Sequence, residues 1–341
     1  MAENKLPRWR GFNLTGMVSR RRFELAQAED RPVFPEDDFR WMAEWGFNFA
    51  RIPMDYRCWV PGTDPFAIDE AVFEHVDRLI QFGDRYDLHI SLNFHTAPGY
   101  CINPRPLLME NLWQNARTLE AFCLHWRYVA MRYEGTPPER LSFDLVNEPP
   151  SVADDVMTVD DYVRVTRAAT ETIHGIDPQR LVIADGYNIG RTPCPELAGT
   201  PNLAQSTRGY DPHSISHYGA PWADGLGFPT PTWPEEARGR ITEPWNRARL
   251  EQHYAPWAAL MEQGVGVHCG ECGCYVYTPH AVFLAWFGDL LDILDAHGIG
   301  YALWNLRGQF GILDSQRYDV AYEDWHGHKL DRALLDLLQA H

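Results

Sequence analysis

The sequence contains no apolar run long enough to cross a membrane, since no segment approaches about 18 consecutive apolar residues. Its first residues also lack the apolar stretch of about 7–15 residues that marks a secretory signal. Cysteine is scarce and odd in number, at seven in 341 residues, so a disulfide framework is not expected. We therefore expect a reduced, cytoplasmic protein. An export signal removed from the chain would change this expectation.

Positive charge is also in short supply. The formal net charge is −17, and no run of Lys or Arg could follow a phosphate backbone. We therefore expect no nucleic acid and no membrane as partner, and a neutral substrate instead. Aromatic residues are abundant, with 13 Trp, 15 Tyr and 16 Phe. Aromatic faces bind the apolar faces of sugar rings or bases, so this composition favours a ligand that stacks.

Short strand-like segments alternate with amphipathic helical segments, a pattern typical of parallel βαβ units. We predict eight strands, at 10–14, 47–52, 89–94, 141–146, 180–185, 214–218, 265–270 and 300–305. Eight parallel strands close a barrel, and 341 residues suit a barrel with long loops. The sequence therefore predicts an α/β fold, a single (β/α)8 TIM barrel domain over residues 1–341.

Helical periodicity separates the predicted strands. Apolar residues recur at three- and four-residue spacing between 69 and 86. Similar stripes predict helices at 112–133, 159–176, 245–263, 280–297 and 329–339. Stretches rich in proline and glycine at 186–211 and 219–234 predict extended loops over one face of the barrel, where function tends to be found.

Two glutamates stand at the ends of predicted strands. Glu148 ends the fourth strand before two prolines, which keep it extended and stop the ladder. Glu271 ends the seventh strand between glycines that permit a tight turn. Because parallel barrel strands deliver their last residues to one rim, these carboxylates are expected to face each other. Glycoside hydrolysis requires such a pair, one group protonating the leaving oxygen and the other attacking the anomeric carbon.

The chain resembles glycoside hydrolase family 5, whose members are retaining β-glycosidases with the acid and the nucleophile on strands four and seven. Residues Asn147, Glu148 and Pro149 resemble its acid/base motif, and the GECG segment at 270–273 is similar to its nucleophile motif, with Cys272 where an aromatic is common. The resemblance covers nearly the whole chain. It implies that Glu148 is the proton donor and Glu271 the nucleophile, with neither a cofactor nor a metal ion.

Further positions match the same family. Arg51 resembles the strand-two arginine that supports the nucleophile, and its planar donors suit an ionised carboxylate. Asn147 is suited to donate to a sugar 2-hydroxyl. His95 resembles the strand-three histidine, and Trp304 the strand-eight tryptophan that floors the sugar subsite.

Strand six departs from the family pattern of histidine, any residue, then tyrosine. Aligning His217 places Gly219 at the tyrosine position, and aligning Tyr218 places Ser216 at the histidine position. We assign His217 to the histidine role. Tyr218 is expected to reach the nucleophile only if the strand end is bulged.

Other interpretations are weaker. The spacing of Cys269, Cys272 and Cys274 resembles a metal site, but no fourth ligand motif accompanies it. A metal-dependent amidohydrolase needs a histidine pair at the end of strand one, where Asn13 and Leu14 stand instead. A non-catalytic carbohydrate-binding barrel is the alternative from another class, and the survival of both carboxylates speaks against it.

The resemblance implies a β-linked oligosaccharide or polysaccharide as substrate, with β-1,4-glucan first and β-mannosides second. It leaves endo-glucanase-like and exo-glucosidase-like action open, because specificity depends on the loops. Further aromatics in predicted loops are candidate sugar platforms or loop-packing residues, namely Trp113, Trp222, Trp233 and Trp245. The segment 307–314 is expected to border the sugar pocket.

Overall fold

Eight parallel strands close into a barrel in the computed structural model of the protein, which describes residues 3–19, 36–103 and 105–341. Each strand pairs with the next along the chain, and the first pairs with the eighth to complete the ring. The predicted fold class is confirmed. The strands are β1 (Arg10–Asn13), β2 (Phe49–Asp55), β3 (His89–Thr96), β4 (Leu141–Asp144), β5 (Leu181–Asp185), β6 (Leu203–Gly209), β7 (Val267–Cys272) and β8 (Gly300–Leu303).

Helices pack around the outside of the barrel. They are α1 (Glu36–Glu44), α2 (Phe73–Arg85), α3 (Ala116–Arg132), α4 (Val159–His174), α5 (Arg247–Glu262), α6 (His280–Ala296) and α7 (Arg332–Ala340). A short antiparallel hairpin of β9 (Glu323–Trp325) and β10 (His328–Leu330) precedes α7. Among the described ranges, no helix has the length and apolarity needed to cross a bilayer.

Local sequence signals set several of these boundaries. Helix α4 begins with a capping box, in which the side chains of Thr158 and Asp161 each accept from the other's backbone N–H. Asn115 caps α3 by accepting from the N–H of Thr118. On the outer face of the sheet, the ring of Phe94 in β3 stacks on Trp126 of α3 at 4.0 Å, and both side chains are fully buried. Such contacts between strands and helices form the main core.

Every second strand residue points into the barrel. These inward side chains form two layers along the barrel axis. The lower layer is uncharged: apolar side chains, namely Leu6, Trp9, Phe49, Ile183, Ala204 and Ala302, pack there with the neutral imidazoles of His89 and His268. The upper layer, nearer the carboxyl ends of the strands, is charged. It consists of four fully buried side chains, Arg51 of β2, Asp144 of β4, Asp185 of β5 and Arg208 of β6. We call these four residues the charged layer.

The predicted position of strand six is wrong. Residues 214–218 are not a strand, since His213–Ser216 form one helical turn and His217 ends it. The true strand, β6, lies inside the stretch 186–211 that the sequence predicted to be a loop. Its residues from Gln205 to Arg208 are polar and yet fully buried, so the strand lacks the apolar run that identifies the other seven.

One strand contact depends on the absence of a side chain. A Cβ atom on Gly11 of β1 would overlap the backbone carbonyl of Phe49 in the neighbouring β2. In contrast, a Cβ on Gly288 in α6 would meet only the Leu337 side chain, at an ordinary 3.7 Å.

We expect Gly11→Ala to lower the free energy of unfolding by about 3 kcal/mol or more, because backbone must move. Gly288→Ala is the matched control and is expected to raise it by up to about 1 kcal/mol through helix propensity. Urea unfolding followed by tryptophan fluorescence measures both. Similar effects of the two substitutions would contradict the close approach of β1 and β2.

Candidate active site

Glu148 is held by its backbone just beyond the end of β4. It adopts a left-handed conformation with φ of 48°, which is uncommon for a residue other than glycine, so the extended conformation expected before Pro149 is wrong. Its N–H donates to Oδ2 of Asp185 at 2.9 Å, and its carbonyl accepts from the hydroxyl of Tyr100. These two bonds fix the direction in which the side chain leaves the rim. Only 9% of the residue is exposed.

Glu271 lies in β7, where the strand slips out of register with both neighbours around Gly270. A Cβ on Gly270 would come within 2.5 Å of the Ser206 hydroxyl, so the bulge requires glycine here. Arg51 donates to Oε1 of Glu271 at 2.6 Å, and the hydroxyl of Tyr210 donates to Oε2 at 3.1 Å. The carboxylate is therefore oriented through both of its oxygens.

Arg208 connects the two glutamates. Its Nε donates to Oε1 of Glu148 at 3.1 Å, and its Nη2 lies 3.6 Å from Oε1 of Glu271. Both Nη atoms also donate to Asp185, in the paired geometry that a guanidinium and a carboxylate favour. The two predicted catalytic carboxylates, far apart in the sequence, thus face one cation above the centre of the barrel.

Asn147 has its amide orientation fixed by two arginines. Its Oδ1 accepts from Arg51 at 2.9 Å and from Arg208 at 3.0 Å. Turning the amide over would bring its NH2 group against two guanidinium groups, so this orientation follows from the network. Nδ2 is buried and finds no partner among the described residues. A buried N–H donor without a protein partner among the described residues therefore lies next to Glu148.

Burial and like charge determine the protonation of the site. The pKa of Glu148 rises from 4.5 to about 8, mainly because the residue is buried and then because Glu271 is close, while Arg208 opposes the rise. Burial and the neighbouring Asp185 likewise raise the pKa of Asp144 to about 6. Burial and the nearby arginines lower the pKa of His95 to about 3, so its imidazole is neutral.

A cavity of about 360 Å³ opens above the two glutamates. On one side of it, the ring of His95 stacks on Trp304 with centroids 5.2 Å apart and planes at 15°. On other sides the walls include Arg191, His213, His217, Trp222 and Phe310. A second cavity of about 300 Å³ shares His95 and Trp304 and continues toward Asp55 and Arg57. The arrangement is suited to a ligand with flat apolar faces and many hydroxyls.

Comparisons with known proteins agree with this geometry. The family model for cellulase (glycosyl hydrolase family 5) matches residues 10–309. The chain belongs to glycosyl hydrolase family 5. A crystal structure of a glycoside hydrolase is 37% identical, covers 98% of this chain and 99% of its own, and superposes with a TM-score of 0.91. The expectations of family and of a glycoside hydrolase are confirmed.

Curated relatives of this family 5 enzyme are more distant. Endoglucanase C of Acetivibrio thermocellus is 24% identical over 342 residues, covering 92% of this chain and 95% of that protein. Cellodextrinase A of Ruminococcus flavefaciens is 22% identical over 297 residues, covering 85% of this chain and 83% of that protein.

The position of β6 resolves the departure from the family pattern at strand six. The pattern of histidine, any residue, then tyrosine corresponds to Arg208, Gly209 and Tyr210 at the end of β6, with arginine in the place of the histidine. Tyr210 supplies the hydrogen bond to Glu271 that we had considered for Tyr218, so that expectation was wrong. The error came from placing the strand about ten residues too late.

His217 and Tyr218 are in different surroundings from those expected. His217 follows the helical turn His213–Ser216 and lines the cavity, where its ring packs against Tyr210 at 5.0 Å. It therefore contacts the ligand site without occupying the histidine position of strand six. Burial and then His213 lower its pKa well below the usual range, so it is neutral. Tyr218 is half-buried one residue further on.

The sequence did not identify the two aspartates of the charged layer, Arg208 or Tyr210. Asp144 and Asp185 end β4 and β5, so the rule that drew attention to Glu148 and Glu271 applied to them equally. Arg208 and Tyr210 carried a signal in their two-residue spacing, but it lay in a predicted loop.

The remaining candidates lie in several environments. The thiols of Cys269, Cys272 and Cys274 donate to three different carbonyls, those of Glu271, Ala302 and Ile215, and the described residues contain no cluster of three metal-ligating side chains. Of the four loop tryptophans, Trp222 lines the cavity and is 55% exposed. The other three pack against protein, Trp113 on Tyr100, Trp233 on Asp289 and Trp245 on His253. Within 307–314, Phe310 lines the cavity.

The raised pKa of Glu148 has a consequence for stability. Between pH 4.5 and about 8 the folded protein keeps a proton that the unfolded chain releases, so this group's contribution to stability is present below pH 4.5 and is lost as pH rises through about 8. Glu148→Gln removes the titration. We expect its melting temperature, relative to the unmodified protein, to rise by a few degrees between pH 5 and pH 8.5.

Differential scanning fluorimetry across this pH range provides the measurement. Glu262→Gln, at an exposed position of α5, is the control for removing one negative charge. The assigned electrostatics would be contradicted if the two variants changed with pH in parallel.

Proposed function

We propose that this family 5 enzyme hydrolyses β-1,4-linked glucans or their oligosaccharides with retention of configuration, using Glu271 as nucleophile and Glu148 as acid/base. One observation carries the proposal. The two carboxylates share a cavity and a cation but differ in their other partners, since Glu271 accepts from Arg51 and Tyr210 whereas Glu148 has a strongly raised pKa. A retaining glycosidase needs this division between an ionised group and a protonated group.

In the first step, an Oε atom of Glu271 bonds to the anomeric carbon while the bond from that carbon to the leaving oxygen breaks. The leaving oxygen keeps the electron pair and takes the proton of Glu148. With a pKa of about 8, Glu148 holds that proton at neutral pH. Arg51 and Tyr210 each donate to one oxygen of Glu271 and so hold its carboxylate aimed at the carbon.

In the second step, water attacks the anomeric carbon of the glycosyl–enzyme ester. The bond to Glu271 breaks and its electron pair returns to the carboxylate, while the water proton passes to Glu148. We expect the unpaired N–H of Asn147 to donate to the sugar 2-hydroxyl, a contact that strengthens as positive charge develops on the ring. Trp304, stacked on neutral His95, provides a flat apolar face for the ring.

The substrate class follows from the cavity and from the relatives. The cavity walls combine an aromatic face with hydrogen-bonding side chains, as a neutral sugar requires. The relatives named endoglucanase and cellodextrinase favour β-1,4-glucan over other β-glucans. The adjoining cavity beyond Trp304 supports binding of more than one sugar ring. Cysteine is scarce and odd in number, which favours a reducing compartment, and the cytoplasm stays our prediction.

Chromatography of products from cellohexaose and mannohexaose tests the proposal. We expect cleavage of cellohexaose, with NMR showing the β-anomer as first product. Glu148→Ala and Glu271→Ala are each expected to reduce kcat by at least about 100-fold. Preferred cleavage of mannohexaose would move the substrate to β-mannosides. Binding of both sugars without cleavage by the intact protein would leave a non-catalytic barrel and sink the proposal.

Tyr210 and Tyr218 form a matched pair for testing support of the nucleophile. Tyr210→Phe removes a hydrogen bond to the Glu271 carboxylate, a type of bond that contributes about 1.5–3 kcal/mol. We expect kcat/KM to fall by about 10- to 100-fold, against less than about twofold for Tyr218→Phe. Initial rates on an aryl β-cellobioside provide the measurement. An equal effect of the two substitutions would contradict the assignment of Tyr210.

A further inference from the structure

Arg208 is the cation that reaches both glutamates of the site. Its Nε lies 3.1 Å from Glu148 and its Nη2 lies 3.6 Å from Glu271. We propose that Arg208, anchored by Asp185, is a positioning residue that converts Glu148 from proton donor in the first step to proton acceptor in the second. This inference rests on the proposed function, because it concerns the two steps of double displacement.

The guanidinium of Arg208 has little freedom to move. Both Nη atoms donate to Asp185, and Nη1 also donates to the hydroxyl of Ser206 at 3.0 Å and to the carbonyl of Thr207 at 3.2 Å. Asp185 additionally accepts from the backbone N–H of Glu148, so one carboxylate fixes both the arginine and the acid/base. The cation therefore stays in place while the charges around it change.

Those charges change when the glycosyl–enzyme forms. In the free enzyme Glu271 is negative, raises the pKa of Glu148 and competes with it for Arg208. Bonding to the sugar makes Glu271 a neutral ester, and both effects end. Of the two glutamates, Glu148 is then the one that carries a charge for Arg208 to pair with, which lowers the pKa of Glu148 and makes it a better base for water.

Among the described residues, the other groups around Glu148 do not pair with both carboxylates. Asp185 of β5 contacts the backbone N–H of Glu148 and not its carboxylate. Tyr210 and His95 are neutral, and Tyr100 contacts the backbone carbonyl rather than the carboxylate. Arg51 donates to Glu271 and Asp144. Besides the direct repulsion between the two glutamates, Arg208 is therefore the charged group that pairs with both and links the state of Glu271 to Glu148.

The double variant Arg208→Gln with Asp185→Asn tests the proposal without leaving a buried charge unpaired. The probe is 2,4-dinitrophenyl β-cellobioside, whose leaving group departs without a proton, so the first step does not depend on Glu148. We expect a burst of dinitrophenolate followed by turnover at least about tenfold slower than in the unmodified enzyme. Azide attacks without needing a base, and its addition is expected to restore turnover.

The pH profile gives a second readout. Arg208 bonds the Glu148 carboxylate directly, whereas Asp185 contacts its backbone, so loss of both removes more attraction than repulsion. We expect the alkaline limb of kcat/KM on cellotetraose to move to higher pH. Equal losses in kcat and kcat/KM, with no burst, no effect of azide and an unmoved limb, would overturn the proposal and leave Arg208 a structural residue.

Two further variants control for damage to the fold. Arg208→Lys keeps the charge but cannot reach both glutamates with one fork, so it is expected to show the same pattern at smaller amplitude. If the Arg208→Lys variant had the kinetics of the unmodified enzyme, that result would also count against the proposal. Arg180→Gln with Asp177→Asn removes another buried arginine pair, at the start of β5, and is expected to show no burst. Failure of the intact enzyme to cleave any β-glucoside would instead sink the proposed function.

Discussion

The structure depends on a set of charges buried inside the barrel. Two arginines, Arg51 and Arg208, lie among Asp144, Asp185 and the two glutamates of the site, all nearly or fully hidden from solvent. Burying charge is unfavourable unless it is paired and hydrogen-bonded, and removing one partner leaves the other uncompensated. Each member therefore fixes its neighbours. With four carboxyl groups and two cations, the carboxyl groups raise one another's pKa, and Glu148, with a pKa of about 8, holds a proton at neutral pH.

The same network holds the side chains of the active site in fixed orientations relative to each other. The carboxylate of Asp185 fixes the backbone of Glu148 and the guanidinium of Arg208, and the two guanidiniums fix the amide of Asn147. Positions on four strands are thereby set relative to each other within hydrogen-bond tolerance. Little rearrangement is needed when substrate binds, which is the condition for electrostatic stabilisation of a transition state.

Much of this architecture could be predicted from the sequence. Seven strands were predicted close to their observed positions, and the rule that parallel strands end at one rim predicted that Glu148 and Glu271 meet. The family resemblance added Arg51 and Trp304. Strand β6 was not predicted, because its inward residues include Arg208 of the charged layer and its outward Gln205 bonds to Cys194. The strand is therefore buried without containing an apolar run. The partnership of Asp185 with Arg208 was also hidden. It depends on the register between neighbouring strands, which a single sequence does not encode in any short motif.

The division of the barrel interior into an uncharged lower layer and a charged layer has a consequence for engineering. Substitutions among Phe49, Ile183, Ala204 and Ala302 alter packing in the lower layer, whereas the reacting groups take their geometry from the charged layer. Redesign for heat tolerance has its natural target in the lower layer. Redesign for new chemistry must treat the charged layer as one unit, because no single ionic member can be exchanged without disturbing the rest.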